Sequence, residues 1–257
     1  MDLSHILNWE LKSGSHEFPG PSGGTCINEA AIVAAGFEYR AVKSAKDCPP
    51  CFCPVLSEFA IVVNDQLGLE DRQSLMMPLV TRLAGSRDDE AWVESARAEF
   101  IMREVYRGAL GPLLHSSVAR HRLFKGADVN QHVEGVWSRC EHHTELAFMN
   151  VHKAPTDALQ AFIRAMVGAH GILGVVGKVS CLEAEIFTPV RLATGGYFAP
   201  PAIQVGVEVT RASMWRLAAQ ALTRAFRIGT QAPAADTAQV VERMEAVKTR
   251  ARELAQA

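Results

Sequence analysis

A chain of 257 residues in which 48% are hydrophobic is long enough for one large domain or two modest ones with a buried core. Its 26 Lys and Arg against 28 Asp and Glu leave a net charge of −2, which excludes a strong overall field for nucleic acid, an anionic membrane or an acidic substrate. No stretch approaches the roughly 18 uncharged apolar residues of a membrane helix, and MDLSHILNWELK lacks the features of a secretory signal, so a cytoplasmic protein without membrane contact is expected.

In chain order, CINEAAIVAA predicts a short helix over 26–35, with Thr25 as its N-cap and Gly36 as its C′ glycine. The prolines of DCPPCFCP force an irregular turn before helical spacing resumes at Val55, Phe59, Val62 and Val63, closed by Asn64, Asp65 and Gly68. DRQSLMMPLVTRLAG reads as a helix capped by Asp71, with Leu75, Leu79 and Leu83 on one face and a kink or restart at Pro78. The strongest helical pattern follows Asp88 and Asp89 and turns Trp92, Ala96, Phe100 and Val105 inward.

Between Ser116 and Lys153 the pattern loosens into a histidine-bearing connector. Helical spacing returns after Thr156 and runs to about His170, where Gly168, Gly171, Gly174 and Gly177 weaken it. Ile203, Val205, Val207 and Val209 alternate like a strand, SMWRLAAQALTRAFRIG is an amphipathic helix, and a Pro233 linker leads to a helical tail. The fold class expected is mainly α. A helical module to about residue 115 carries the CPPCFC turn, a connector spans 116–153, and a C-terminal helical domain spans 154–230 with at most a short β-hairpin. A linker and helix over 231–257 complete the chain.

The run HILNWELKSGSHEFPGPSGGTCINEAAIVAAGFEYRAV, with DCPPCFCPVLSEFAIVVNDQLG and RQSLMMPLVTRLAGS, resembles a family of short uncharacterised bacterial and phage-borne proteins. That family is built around a G-x-C-x-x-E-A element, an N-D pair and an R-L-x-G-[ST] element, here Gly24 to Ala30, Asn64 and Asp65, and Arg82 to Ser86. The resemblance covers roughly the first 115 residues and implies no activity.

Cys26 opens a helix, where the dipole and backbone N–H groups favour a thiolate. GGTCINE is also similar to the nucleophile segment of arylamine N-acetyltransferases and, more loosely, of papain-like enzymes. That resemblance implies a nucleophile at Cys26 with His16, or one of His115 to His152, as base; Glu29 at i+3 is placed to serve as acid, base or ligand. The alternative is a packed thiol beside a carboxylate that complements the dipole.

Six cysteines, three of them in CPPCFC, suit thiols or a metal better than a disulfide framework. Cys48-Pro-Pro-Cys51 has the gap that lets two thiolates converge on one zinc ion; Cys53 would be a third ligand, and Cys140, His142 or His143 in SRCEHH a fourth. Redox pairing of Cys48 with Cys51 and a proline-rigid packing turn are the other readings. GILGVVGK does not match a phosphate-loop pattern. Arg211, Arg216, Arg224 and Arg227, with Trp215 and Phe226, make a modest basic face that supports nucleic acid weakly. The function expected is a non-enzymatic interaction or regulatory protein that meets a protein partner through apolar helix faces, with a structural zinc at the CPPCFC turn. The competing class is a cysteine-dependent acyltransferase or hydrolase.

Overall fold

The computed structural model describes residues 10–16, 24–115, 127–172 and 200–229, with side chains from 133 and from 212 onward in the last two stretches. Among these residues the fold is mainly α-helical and no strand forms; Leu11 and Thr25 make a lone parallel bridge. The expected tail helix and the glycines Gly174 and Gly177 fall outside the described residues.

Helix α1, Ile27–Ala34, forms where the sequence places it, but Cys26 rather than Thr25 is the N-cap. The Cys26 thiol accepts from the Glu29 N–H at 3.5 Å, and the Glu29 carboxylate takes the Cys26 N–H at 2.9 Å, a capping box with sulfur in place of a hydroxyl. The Thr25 hydroxyl is engaged by that same carboxylate at 3.2 Å. Gly36, at φ +81, closes the helix in the left-handed conformation that favours glycine. Every residue of α1 is buried, so it is a central strut rather than a surface helix.

Helix α2, Pro54–Gln66, starts on Cys53 with a proline in its first turn, a position that lacks an N–H partner in any case. Helix α3, Leu69–Met76, begins on Gly68 rather than on an Asp71 cap, leaving Glu70 and Asp71 in the first turn where negative charge suits the dipole. Pro78 sits in a 3-10 turn, Met77–Leu79, and the chain restarts as α4, Val80–Leu83.

Helix α5, Ala91–Val105, turns Val93, Arg97, Ile101 and Val105 into the core, while Trp92 is 58% exposed. The buried stripe is therefore offset by one residue over most of its length. The helix runs on through a π-helical turn, Tyr106–Leu110, into α6, Gly111–Leu114. Two glycines are required here by close approach: a Cβ on Gly111 would meet the Tyr106 carbonyl oxygen of the turn itself at 2.8 Å, and one on Gly108 would meet Leu217 Cδ2 at 2.4 Å.

Helix α7, Ala127–Asn150, occupies most of what the sequence reads as a loose connector. After a four-residue turn, α8 spans 155–172 and returns antiparallel to it, with Phe148 edge-on to Phe162 and Gly168 against Cys140. Helix α9, Pro200–Ala225, is unbroken, so the alternation at Ile203 to Val209 is helix and not strand. Two prolines suit its first turn, and each β-branched residue costs a helix at most about 0.7 kcal/mol. That cost is small beside the burial of Met214, Trp215, Ala218 and Leu222 further along the same helix.

Helix α9 packs on α5, α2 and α3, and buried residues from Leu11 to Phe226 form one continuous cluster. Two buried arginines brace it through backbone carbonyls. Arg72 donates to Asn64 at 2.6 Å, Leu11 at 3.2 Å and Leu67 at 2.6 Å. Arg97, 1% exposed, donates to Ile228 at 3.0 Å and to Ser86. No helix among the described residues is long and apolar enough to cross a membrane.

Candidate functional site

The structure brings Cys26, Glu29 and His16 into one network, with Glu29 at its centre. Glu29 Oε1 accepts from the Ser15 hydroxyl at 2.9 Å, the His16 N–H at 3.1 Å and the Val42 N–H at 3.1 Å. Its Oε2 takes the Thr25 hydroxyl and the Cys26 N–H. Five donors from three chain segments saturate a fully buried carboxylate. Cys26 is 2% exposed; burial first, and the Glu29 charge second, push its thiol well above the usual range. The backbone N–H groups of Glu29 and Asn28 pull the other way and are outweighed. His16 joins through its backbone, its carbonyl also accepting from the Tyr39 hydroxyl, while its buried Nε2 has no partner among the described residues.

The cysteines of the turn are held by other means. The Cys53 N–H donates to the Ser86 hydroxyl at 2.9 Å, and the Cys51 carbonyl accepts from the Arg87 N–H at 2.9 Å. Burial pushes the Cys48 thiol up to about 11. On α7, Cys140 is packed against α8 and burial pushes it up to about 11. His142 is exposed, and His143 is pushed down by burial and then by Arg164, His142 and Arg139. Among the described residues no group of three or more His, Cys, Asp or Glu side chains stands close enough to hold one ion.

Two of the four arginines of the basic face are engaged within the molecule, Arg216 with Asp71 at 2.8 Å and Arg224 with Glu104 at 2.7 Å, and the side chain of Arg211 lies outside the described residues. Trp215 and Phe226 are buried, the latter under the Arg82 guanidinium, so neither is open to stack on a base. Arg87 pairs with Glu94 at 3.3 Å.

A different site, which the sequence does not single out, lies where α7 runs antiparallel to α5, the π-helical turn and α6. Glu99 faces His152 at 3.8 Å, and Tyr106 is edge-on to Phe148 with ring centroids 5.7 Å apart. Between them opens a cleft of about 710 Å³, within the range of ligand and peptide sites. Its floor is apolar and aromatic, with Tyr106, Leu114 and Phe148. Tyr106 Oη lies 2.8 Å from His115 Nε2, which fixes the phenol at one end.

The walls carry opposite charge. Arg103 and Arg107 line one side, Glu141 and Glu145 the other. Arg103 is braced by Glu99 at 2.6 Å, and Glu141 accepts from the Trp137 indole N–H at 3.1 Å. Among the described residues neither Arg107 nor Glu145 has an opposite charge within ion-pair distance, and both are exposed. On the same helix Met149, one residue beyond Phe148, is 67% exposed, while Leu146, 36% exposed, points away from the cleft. A four-residue spacing of like charge on each helix was the only sequence sign of the groove; that the two pairs face each other is a tertiary fact. Comparison with protein-family models, with curated proteins and with solved structures finds no match to this chain.

Proposed function

We propose that this protein is a non-enzymatic interaction protein that holds a helical segment of a protein partner in the groove between the π-helical turn and α7. The observation that carries the reading is the groove itself: an aromatic floor, charged walls without mutual pairing, and exposed Met149 one residue beyond Phe148. Helix-in-groove recognition uses such a surface, an apolar stripe entering between polar margins. The thiol centre weighs the same way, because Glu29 and Cys26 are committed to capping and stapling and burial disfavours the thiolate.

A cysteine-dependent acyltransferase or hydrolase keeps one observation in its favour, the unpartnered Nε2 of His16 close in the chain network to Cys26. One comparison separates the two. Wild-type protein, the double variant Glu145→Arg/Met149→Asp and Cys26→Ala are immobilised and exposed to extract from the organism that encodes the chain. A polypeptide retained by wild type and Cys26→Ala but lost from the groove variant supports the groove reading. Retention that depends on Cys26 and ignores Glu145 and Met149 would turn the choice to the thiol.

A further inference from the structure

We infer that the opposed charges of the groove dictate the direction in which a partner helix lies, and that this partner carries acidic residues along one flank of its apolar stripe and basic residues along the other. The inference rests on the groove reading above and adds to it the partner's chemistry and polarity. The lining residues of α7 run from Glu141 to Phe148, a rise of about 10.5 Å at 1.5 Å per residue. That length matches about two turns of a docked helix, whose apolar anchors at i, i+4 and i+7 would rest on the shared apolar floor of Leu114, Tyr106 and Phe148.

Such a helix presents its two flanks to opposite walls. Acidic side chains fit along Arg103 and Arg107, basic ones along Glu141 and Glu145. Turning the same helix end for end keeps the stripe in the groove but exchanges the flanks, setting acid against acid and base against base. Like charges brought together at an interface are a device of specificity, so one direction is favoured and the other opposed. A helix with a single kind of charge on both flanks meets one repelling wall in either direction. The free charges matter most here. Arg107 and Glu145 have no competing ion pair among the described residues, whereas Arg103 keeps Glu99 as a brace.

The test uses two synthetic helical peptides and the full chain. Both peptides are stapled on the outer face and carry leucine anchors at i, i+4 and i+7, with glutamates on one flank and lysines on the other; in the second the flanks are exchanged. Each bears a benzophenone at its N-terminus, and mass spectrometry locates the crosslink after irradiation. The expected result is similar affinity for both peptides and crosslinks at opposite ends of the groove, near His115 for one and near Arg103 and Phe148 for the other. Arg107→Glu, an exposed change, should weaken both peptides several-fold and blur the direction. Crosslinks at the same end for both peptides, or at both ends for each, would overturn directional docking while leaving the groove as a binding site. No groove crosslink from either peptide would overturn the groove reading and this inference together. Light scattering on the same samples completes it: a dimer that Met149→Asp dissolves would make a second copy the occupant and sink the proposal.

Discussion

Glu29 ties three pieces of chain that have no sequence proximity: Ser15 and His16 before α1, Cys26 at its cap, and Val42 beyond it. All its partners are donors, so an amide in its place would set an NH2 group against N–H groups that accept nothing. Each buried donor left unsatisfied costs about 1–3 kcal/mol. Glu29→Gln is therefore expected to lower unfolding free energy by at least about 2 kcal/mol, read from the urea midpoint, and an unchanged midpoint would contradict the staple. Nothing in Cys-Ile-Asn-Glu announces this: the i+3 glutamate after Cys26 was visible as a dipole partner, but its other donors come from segments whose approach only the fold creates. The thiols give a pH dependence. Burial raises Cys26, and raises Cys48 and Cys140 to about 11, above the ordinary value near 9.0. The neutral form is the folded one, so this stabilisation is complete below pH 9 and drains as pH climbs toward 11, because the unfolded chain releases its protons first. Between pH 8.5 and 10.5 the wild type should lose more stability than the Cys48→Ala/Cys140→Ala variant; parallel curves would remove the claim.

At the scale of elements, the hairpin of α7 and α8 depends on a close approach. A Cβ on Gly168 would lie 2.7 Å from Cys140 Sγ and 3.5 Å from Val136 Cγ1. Gly168→Val should therefore cost about 1–3 kcal/mol through overpacking, and Cys140→Ala should recover part of it in a double-mutant cycle measured by thermal melting. Additive effects would mean the helices simply move apart. Most of the helices were legible from spacing and punctuation, with Gly36, Pro78 and Gly85 acting where local chemistry predicts. The failures share a cause. Trp92 and Val93 both offer an apolar stripe on α5, and the choice between them is made by packing. The valines of α9 alternate as in a strand, yet the helix that follows recruits them, tertiary context overriding a weak propensity. The cleft stayed hidden for the same reason, since α7 has too few apolar residues to signal a long helix by itself.

For the molecule as a whole, Arg97 is the decisive cross-tie. Its buried guanidinium donates to the Ser86 and Ile228 carbonyls, tying the middle of α5 to the segment before it and to the turn that follows α9. Arg97→Met keeps much of the volume but strands both carbonyls, and should cost on the order of 2–4 kcal/mol. It should also raise amide exchange over residues 214–228 before the rest of the core is affected. Uniform loosening of every helix would show instead that the tie is not local. Among the described residues, Val105 and Leu110 share one buried cluster with Trp215 and Leu222.

Ile228 lies 131 residues after Arg97 in the chain. During synthesis, at about 10 residues per second, a wait on the order of ten seconds separates the appearance of this cation from the arrival of its last acceptor. Until then the guanidinium has the Ser86 carbonyl to donate to but not that of Ile228. A chain halted before Trp215 would hold α5 but not the helix that covers it, so the apolar stripe of Val93, Ile101 and Val105 would stay open to water until synthesis resumed.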